Sequence, residues 1–212
     1  MTENERKFYF VGRQLTLDFI NTRIGMDDAP AELLSGFPDL VSWLEQASIL
    51  SSANAKAALT SWAHRPEAKQ ILEQARKLRT VLREMVERLV SGKSAGQGAL
   101  DEINRVLAQE TGCNQLLRGA DGYALHFQSA RREAIHLLVP VALSAAELLR
   151  NSDPQRIRLC GNPACRLYYY DTSKNHTRRW CSMAVCGNRM KAALFYKRGQ
   201  EKKRRSVKPR VL

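Results

Sequence analysis

Cys160-Gly-Asn-Pro-Ala-Cys165 and Cys181-Ser-Met-Ala-Val-Cys186 decide how this chain is read. Each pair is separated by four residues, and residues 166–180 separate the pairs. Four thiols within residues 160–186 are the donor set of one closed, structural zinc site. With sulfur at all four positions, no ligand position stays open for metal catalysis. The two pairs are unlike. Gly161, Asn162 and Pro163 favour a tight turn that brings Cys160 and Cys165 to one point. Cys181 and Cys186 cannot both project from one helical face, because five residues rotate by about 140°. The spacing therefore predicts that Cys181 precedes a helix, Ser182 caps it, and Cys186 leans back from its first turns. The positive helix end then also favours thiolates.

Working outward from the cysteines, charge divides the chain. Residues 1–150 hold 18 Lys/Arg and 18 Asp/Glu, whereas residues 151–212 hold 16 and 3, so the whole net charge of +13 lies in the second segment. A neutral body joined to a strongly basic module points to a polyanionic partner, with nucleic acid the leading candidate. Asn151-Ser-Asp-Pro154 has turn chemistry and marks the boundary, giving 1–150 as the body, 151–200 as the finger and 201–212 as a basic tail. Residues 197–210 carry eight basic residues and are expected to be mobile when unbound.

At 212 residues there is room for one ordinary domain and a small one. The opening Met1–Lys7 has no apolar core of signal-peptide type, and no apolar stretch reads as a membrane span, so no membrane partner is expected. The expected compartment is the cytoplasm, where thiols stay reduced and a disulfide framework does not form. The cysteine count of five leaves Cys113 as a spare thiol.

The body reads as mainly α. Residues 8–22 are an extended lead followed by a short helix, and 23–38 are loop-like. Asp39 is expected to cap a helix to about Ala47, and another fits Ser52–Ala63. From Pro66, apolar residues at Ile71, Leu72, Ala75, Leu78, Leu82, Met85, Val86 and Leu89 follow helical spacing. After a loop at 91–98, a helix fits Ala99–Glu110. A small β-hairpin is expected from 114–118 and 123–128 around Gly119–Gly122. Residues 129–150 read as a long apolar helix that Pro140 kinks or splits. In the basic module, Gln155–Leu159 and Arg166–Asp171 are expected to pair as a short hairpin, completing a treble-clef-like knuckle, hairpin and helix.

Arg178-Arg-Trp-Cys-Ser-Met-Ala-Val-Cys-Gly-Asn-Arg189 closely resembles the bacterial CGNR zinc finger family, as does the Cys-x4-Cys knuckle with Asp171-Thr-Ser173 behind it. Leu17-Asp-Phe-Ile-Asn-Thr22 resembles the opening motif of the ABATE domain that usually precedes this finger. Together the resemblance covers essentially the whole chain. It implies a stress-related transcriptional regulator.

The helix after Cys186 carries Asn188, Arg189, Lys191, Lys197 and Arg198, with Arg178 and Arg179 just before it. Arg and Asn can contact base edges, while Lys mostly meets phosphate, so the helix is expected to dock on duplex DNA. The alternative is an RNA- or protein-binding adaptor, in which Tyr168, Tyr169 and Tyr170 stack on unpaired bases instead of filling a small core. Arg189 has two open roles, DNA contact and bracing of the cysteine knuckle. His176 is either a substitute ligand or a polar loop residue.

In the body, Asp18 and Asn21 lie on one helical face among apolar residues, and Arg76, Arg79 and Arg83 are candidate partners. They form either a structural network or a pocket for a small-molecule effector. No catalytic role is expected: Cys113 has no adjacent His, and His64, His126 and His136 are scattered. A homodimer is compatible with this composition, but nothing in the sequence specifies one.

Overall fold

The computed structural model describes residues 8–26, 29–119, 122–129 and 133–206. Its elements are α1 (Leu15–Ile20), β1 (Arg23–Met26), β2 (Ala29–Glu32), α2 (Phe37–Gln46), α3 (Ser52–Trp62), α4 (Pro66–Val90), α5 (Gln97–Leu107), β3 (Gly112–Gly119), β4 (Gly122–Ser129), α6 (Val139–Asn151), β5 (Ile157–Leu159), β6 (Tyr168–Tyr170) and α7 (Asn188–Ser206). The strands pair only as antiparallel two-stranded hairpins, β1–β2, β3–β4 and β5–β6, among the described residues.

The fold is mainly α, and α4 is its axis. Pro66 opens α4, where its missing N–H costs nothing, and Ala68, Ile71, Leu72, Ala75, Leu78, Leu82, Met85 and Val86 form the buried stripe. Against it pack Leu17, Phe19 and Ile20 of α1, Leu40, Trp43 and Leu44 of α2, Ile103 and Val106 of α5, and Val141, Ala142 and Ala145 of α6. Each buried Leu, Ile, Val, Phe or Met among them contributes about 1.5–3 kcal/mol by leaving water.

Several local expectations change. The 23–38 region holds the β1–β2 hairpin, with Arg23 paired to Glu32 and Ile24 to Ala31. No alternation in that stretch announces a strand. The hairpin is held from outside by Glu32 on Arg79, and Leu33 N–H on Thr22 O at 3.0 Å extends its own ladder. Asp39 does not cap α2. Gly36 is the cap, and Asp39, three residues in, accepts the Gly36 N–H at 2.9 Å. Helix α5 starts two residues earlier than expected, at Gln97. The apolar 129–150 stretch is split: a 3₁₀ turn, Ala134–Leu138, ends where Pro140 opens α6. By length and mean hydropathy, Ala134–Asn151 could cross a membrane. Here it is part of the core, with Leu138, Val141, Ala142 and Ala145 fully buried. Finally, α7 runs on to Ser206, so the expected mobile tail begins as helix. Residues 207–212 lie outside the described residues.

Strand β6 is a partition. Its side chains alternate: Tyr168 and Tyr170 enter the body core, while Tyr169 enters a second cluster with Cys160, Cys165, Leu167, Cys181 and Cys186. Ile24 of β1 belongs to that second cluster, and Tyr9, Val11 and Leu33 pack on it. The turn at 151–154 is thus a boundary along the chain, but the segments on either side of it share packed surface.

Candidate metal centre

The knuckle is built by backbone and by Asn162. Cys160 N–H donates to Leu167 O at 3.0 Å and Cys165 N–H to Asn162 O at 2.8 Å, which folds the loop between them. Gly161 N–H donates to Arg179 O at 2.8 Å, and a Cβ on Gly161 would lie 3.0 Å from that same oxygen. Glycine is what permits this close approach. The second pair follows the expected geometry. Cys181 precedes a π turn, Met183–Gly187, and Ser182 caps it by accepting the Val185 N–H at 3.3 Å.

All four sulfurs are buried and lie within 4.8 Å of one another. Cys165 and Cys181 sulfurs are 3.9 Å apart, and those of Cys181 and Cys186 are 3.7 Å apart. Zinc–sulfur bonds of about 2.3 Å give a tetrahedron with edges of about 3.8 Å. The donor set and its spacing therefore fit one zinc ion. Outer donors are also present: Cys181 N–H points at Cys160 Sγ (3.4 Å), and Asn162 Nδ2 at Cys186 Sγ (3.5 Å). Such donors stabilise thiolate charge and fix ligand orientation.

The protons report the same demand. The contact between the Cys181 and Cys165 sulfurs, against burial and with help from Leu167 N–H, pulls Cys165 down to about 5. The same contact and burial push Cys181 up, and burial pushes Cys186 up. A divalent cation stabilises all four thiolates, and binding it releases protons.

Two family models match the chain. One, ABATE, with the description "Putative stress-induced transcription regulator", covers residues 13–152. The chain belongs to the ABATE family. The second, the CGNR zinc finger, covers residues 156–199 and contains all four cysteines. No curated protein matches. The chain is therefore a zinc-binding protein with the architecture of a transcription regulator, an ABATE body carrying a CGNR finger.

The finger residues expected at DNA separate into two groups. Arg178 is an internal brace. Its Nε donates to Trp180 O at 2.9 Å, its Nη2 donates to Cys181 O, and its guanidinium lies 4.4 Å above the Tyr169 ring. Tyr169 in turn donates to Arg178 O at 2.5 Å. Arg178 thus braces the entry to the second cysteine pair, not the Cys160–Cys165 knuckle. Arg189 itself is exposed and makes no hydrogen bond or ion pair among the described residues. Arg179 is exposed over the Trp180 ring, and Asn188, Lys191, Lys197 and Arg198 are exposed along α7. At about 100° per residue Lys191, Lys197 and Arg198 fall within an arc of about 120°, with Arg189 about 80° beyond it. His176 is not at the metal; it bonds to Arg156.

Four contributors lie outside the sequence expectations. Asn162 is expected as a turn residue, yet its amide reaches a ligand sulfur. Asp171 is buried and accepts from Ser173 N–H (2.9 Å), Ser173 Oγ (2.6 Å) and Arg178 N–H (3.1 Å). Phe195 and Tyr196 stand 76 % and 70 % exposed on α7. The Asp-Thr-Ser turn was a legible signal for Asp171; the other three had none.

The four residues proposed for an effector pocket do not converge on one. Asn21 is spent on the Tyr168 backbone. Arg79 is buried and bonds Thr22 Oγ1 at 3.0 Å and both Glu32 oxygens. Arg76 caps Leu34 O at 2.7 Å. These three form the structural network. Asp18 alone lines an open space, a cleft of about 590 Å³ shared with Arg13, Thr172, Arg178, Cys181 and Ser182. Burial pushes its carboxyl up to about 6, although it accepts the Gly12 N–H at 2.7 Å.

Proposed function

We propose that this protein is a transcription regulator that grips duplex DNA with α7, and that zinc presents the helix to the nucleic acid. The observation carrying this reading is an exposed, cation-bearing helix of 19 residues rooted at the metal cluster, in the segment that holds all of the +13 charge. A helix exposed at every position from Lys191 to Gln200 leaves that surface open to a partner. Arg189 and Asn188 then meet base edges or phosphates near the root, and Lys191, Lys197 and Arg198 meet phosphates. The reading places the protein in the bacterial cytoplasm, on the nucleoid, and gives it no catalytic role. A small molecule in the cleft beside Asp18 would touch the ABATE body and the finger at once, so effector control belongs there.

One observation favours a second reading. Phe195 and Tyr196 are exposed next to Lys197 and Arg198, and exposed aromatics among cations stack on unpaired bases. Competition among duplex DNA, structured RNA and single strands separates the two. Preference for duplex, with a log–log salt slope that falls when α7 cations are removed, supports the first reading. Preference for single strands with no salt-slope change overturns it. Genomic mapping of the tagged protein, with Cys181→Ser as control, then locates the sites.

A further inference from the structure

The sulfurs of the metal cluster differ in what donates to them. Cys160 Sγ faces the Cys181 N–H at 3.4 Å, and Cys165 Sγ accepts from the Leu167 N–H. Both donors are backbone. Cys186 Sγ faces a side chain instead, Asn162 Nδ2 at 3.5 Å, from 24 residues earlier in the chain. Two further groups of Asn162 fold the knuckle. Its backbone O accepts the Cys165 N–H at 2.8 Å, and its Oδ1 accepts the Ala164 N–H at 3.1 Å. The second bond fixes the amide: turned over, Nδ2 would meet the Ala164 N–H and Oδ1 would meet an electron-rich sulfur. Asn162 is 3 % exposed, so bulk water does not stand in for its donor. One residue thereby joins the two cysteine pairs, Cys165 through its carbonyl and Cys186 through its amide.

We propose that Asn162 is the positioning residue that keeps Cys186 on the zinc, and so fixes the root of α7. Cys186 is the ligand that most needs one. Cys160 and Cys165 are held by the knuckle's own backbone bonds, and Cys181 by its N–H on the Cys160 sulfur. Cys186 lies in the π turn Met183–Gly187, where its N–H donates to Ser182 O at 2.9 Å, and α7 starts two residues on. Beyond that root the helix is exposed at every position from Lys191 to Gln200, so a force on it reaches the metal through Cys186. An N–H aimed at a ligand sulfur draws off part of the thiolate charge and fixes the direction in which the sulfur faces the metal. Losing such a partner weakens metal binding by about 10–100-fold. Without the amide, Cys186 is the ligand that leaves, while the other three sulfurs keep the metal. The proposal does not depend on what α7 grips.

The test uses the full, zinc-loaded chain and two readouts. One is the rate of zinc transfer to an excess of chelator. The other is the rate at which N-ethylmaleimide labels each cysteine, followed by peptide mass, with exposed Cys113 as the internal standard. Asn162→Asp keeps Oδ1 for the Ala164 N–H, and with it the turn, but sets a carboxylate oxygen against the Cys186 sulfur. It is expected to quicken zinc release by about 10–100-fold and to raise labelling of Cys186 by at least about tenfold, with Cys160 and Cys165 changed far less. Asn162→Ala is expected to act in the same direction, and it carries the test should Asn162→Asp fail to fold. Release and labelling at the wild-type rates overturn the proposal. So does labelling that rises equally at Cys160, Cys165 and Cys186, which would confine Asn162 to folding the knuckle.

Discussion

Asn21 and Tyr168 form a reciprocal pair: Asn21 Nδ2 donates to Tyr168 O at 2.8 Å, and Tyr168 N–H donates to Asn21 Oδ1 at 2.9 Å. An amide side chain thereby acts as one more strand residue beside β6, at a site buried on both sides. Two residues on, Tyr170 N–H donates to Gly12 O at 2.8 Å, so the outer edge of β6 is stitched to the lead and to the end of α1. The finger is held to the body by backbone pairing as well as by packing.

Asn21→Ala leaves a buried N–H and a buried C=O without partners. The expected cost is about 2–4 kcal/mol. Chemical denaturation measures it, and chelator-driven zinc release should quicken because β6 also backs the metal cluster. A loss within about 0.5 kcal/mol would mean that water or a shift satisfies Tyr168.

Zinc removal should lower the melting temperature and loosen the root of α7. Metal analysis should find one zinc per chain, and Cys165→Ser or Cys181→Ser should find none or weakly held metal. Since the ligands must give up protons, affinity should fall as pH falls. Full zinc retention in either variant would remove that cysteine from the ligand set.

Arg79→Ala strands Glu32 and is expected to cost about 2–4 kcal/mol, the lower end because Glu32 is partly exposed. Burial raises the Glu32 carboxyl, but the Arg79 and Leu34 hydrogen bonds and the Arg79 and Arg76 charges outweigh it, so it stays ionised below its ordinary range. The stability it supplies is present above the unfolded value near 4.5 and is lost as pH falls through the lower folded value. Acid titrations should show a shallower loss in Arg79→Ala than in wild type.

Asp18 has the opposite sign. Its folded value of about 6 exceeds the ordinary 3.8, so the folded chain binds more protons between them and loses stability as pH rises through that window. Asp18→Asn keeps an acceptor for Gly12 N–H and removes the cost. It should stabilise the protein by on the order of 1–2 kcal/mol at neutral pH and leave stability at pH 4 nearly unchanged.

Arg178 and the α7 cations should separate by assay. Arg178→Ala should weaken zinc retention and lower the melting temperature, because three finger contacts go with it. K197A/R198A should leave both unchanged and reduce the salt slope of DNA binding by about 2. Equal effects of both variants on stability would erase the distinction.

What was legible in the sequence followed from local chemistry. The apolar period from Ile71 onward marked α4, Gly-Ala-Asp-Gly between extended runs marked the β3–β4 hairpin, and Pro140 marked the start of α6. The β1–β2 hairpin was not legible, because its side-chain support comes from Arg79, 47 residues from Glu32 and on α4. Nor was the role of Arg178, since an arginine in a basic run looks the same whether it faces phosphate or a carbonyl.

By itself, the sequence determined the metal and its ligands, because four thiols at that spacing have few other uses, and it determined where the charge sits, because charge is a count. Only the tertiary structure decided how those parts are joined. Asn21 meets Tyr168, and Gly12 meets Tyr170, because burial leaves backbone groups that must find partners, and those partners lie on the other side of the turn at 151–154. The same requirement spent three of the four supposed effector residues on internal bonds and left Asp18 alone facing open space.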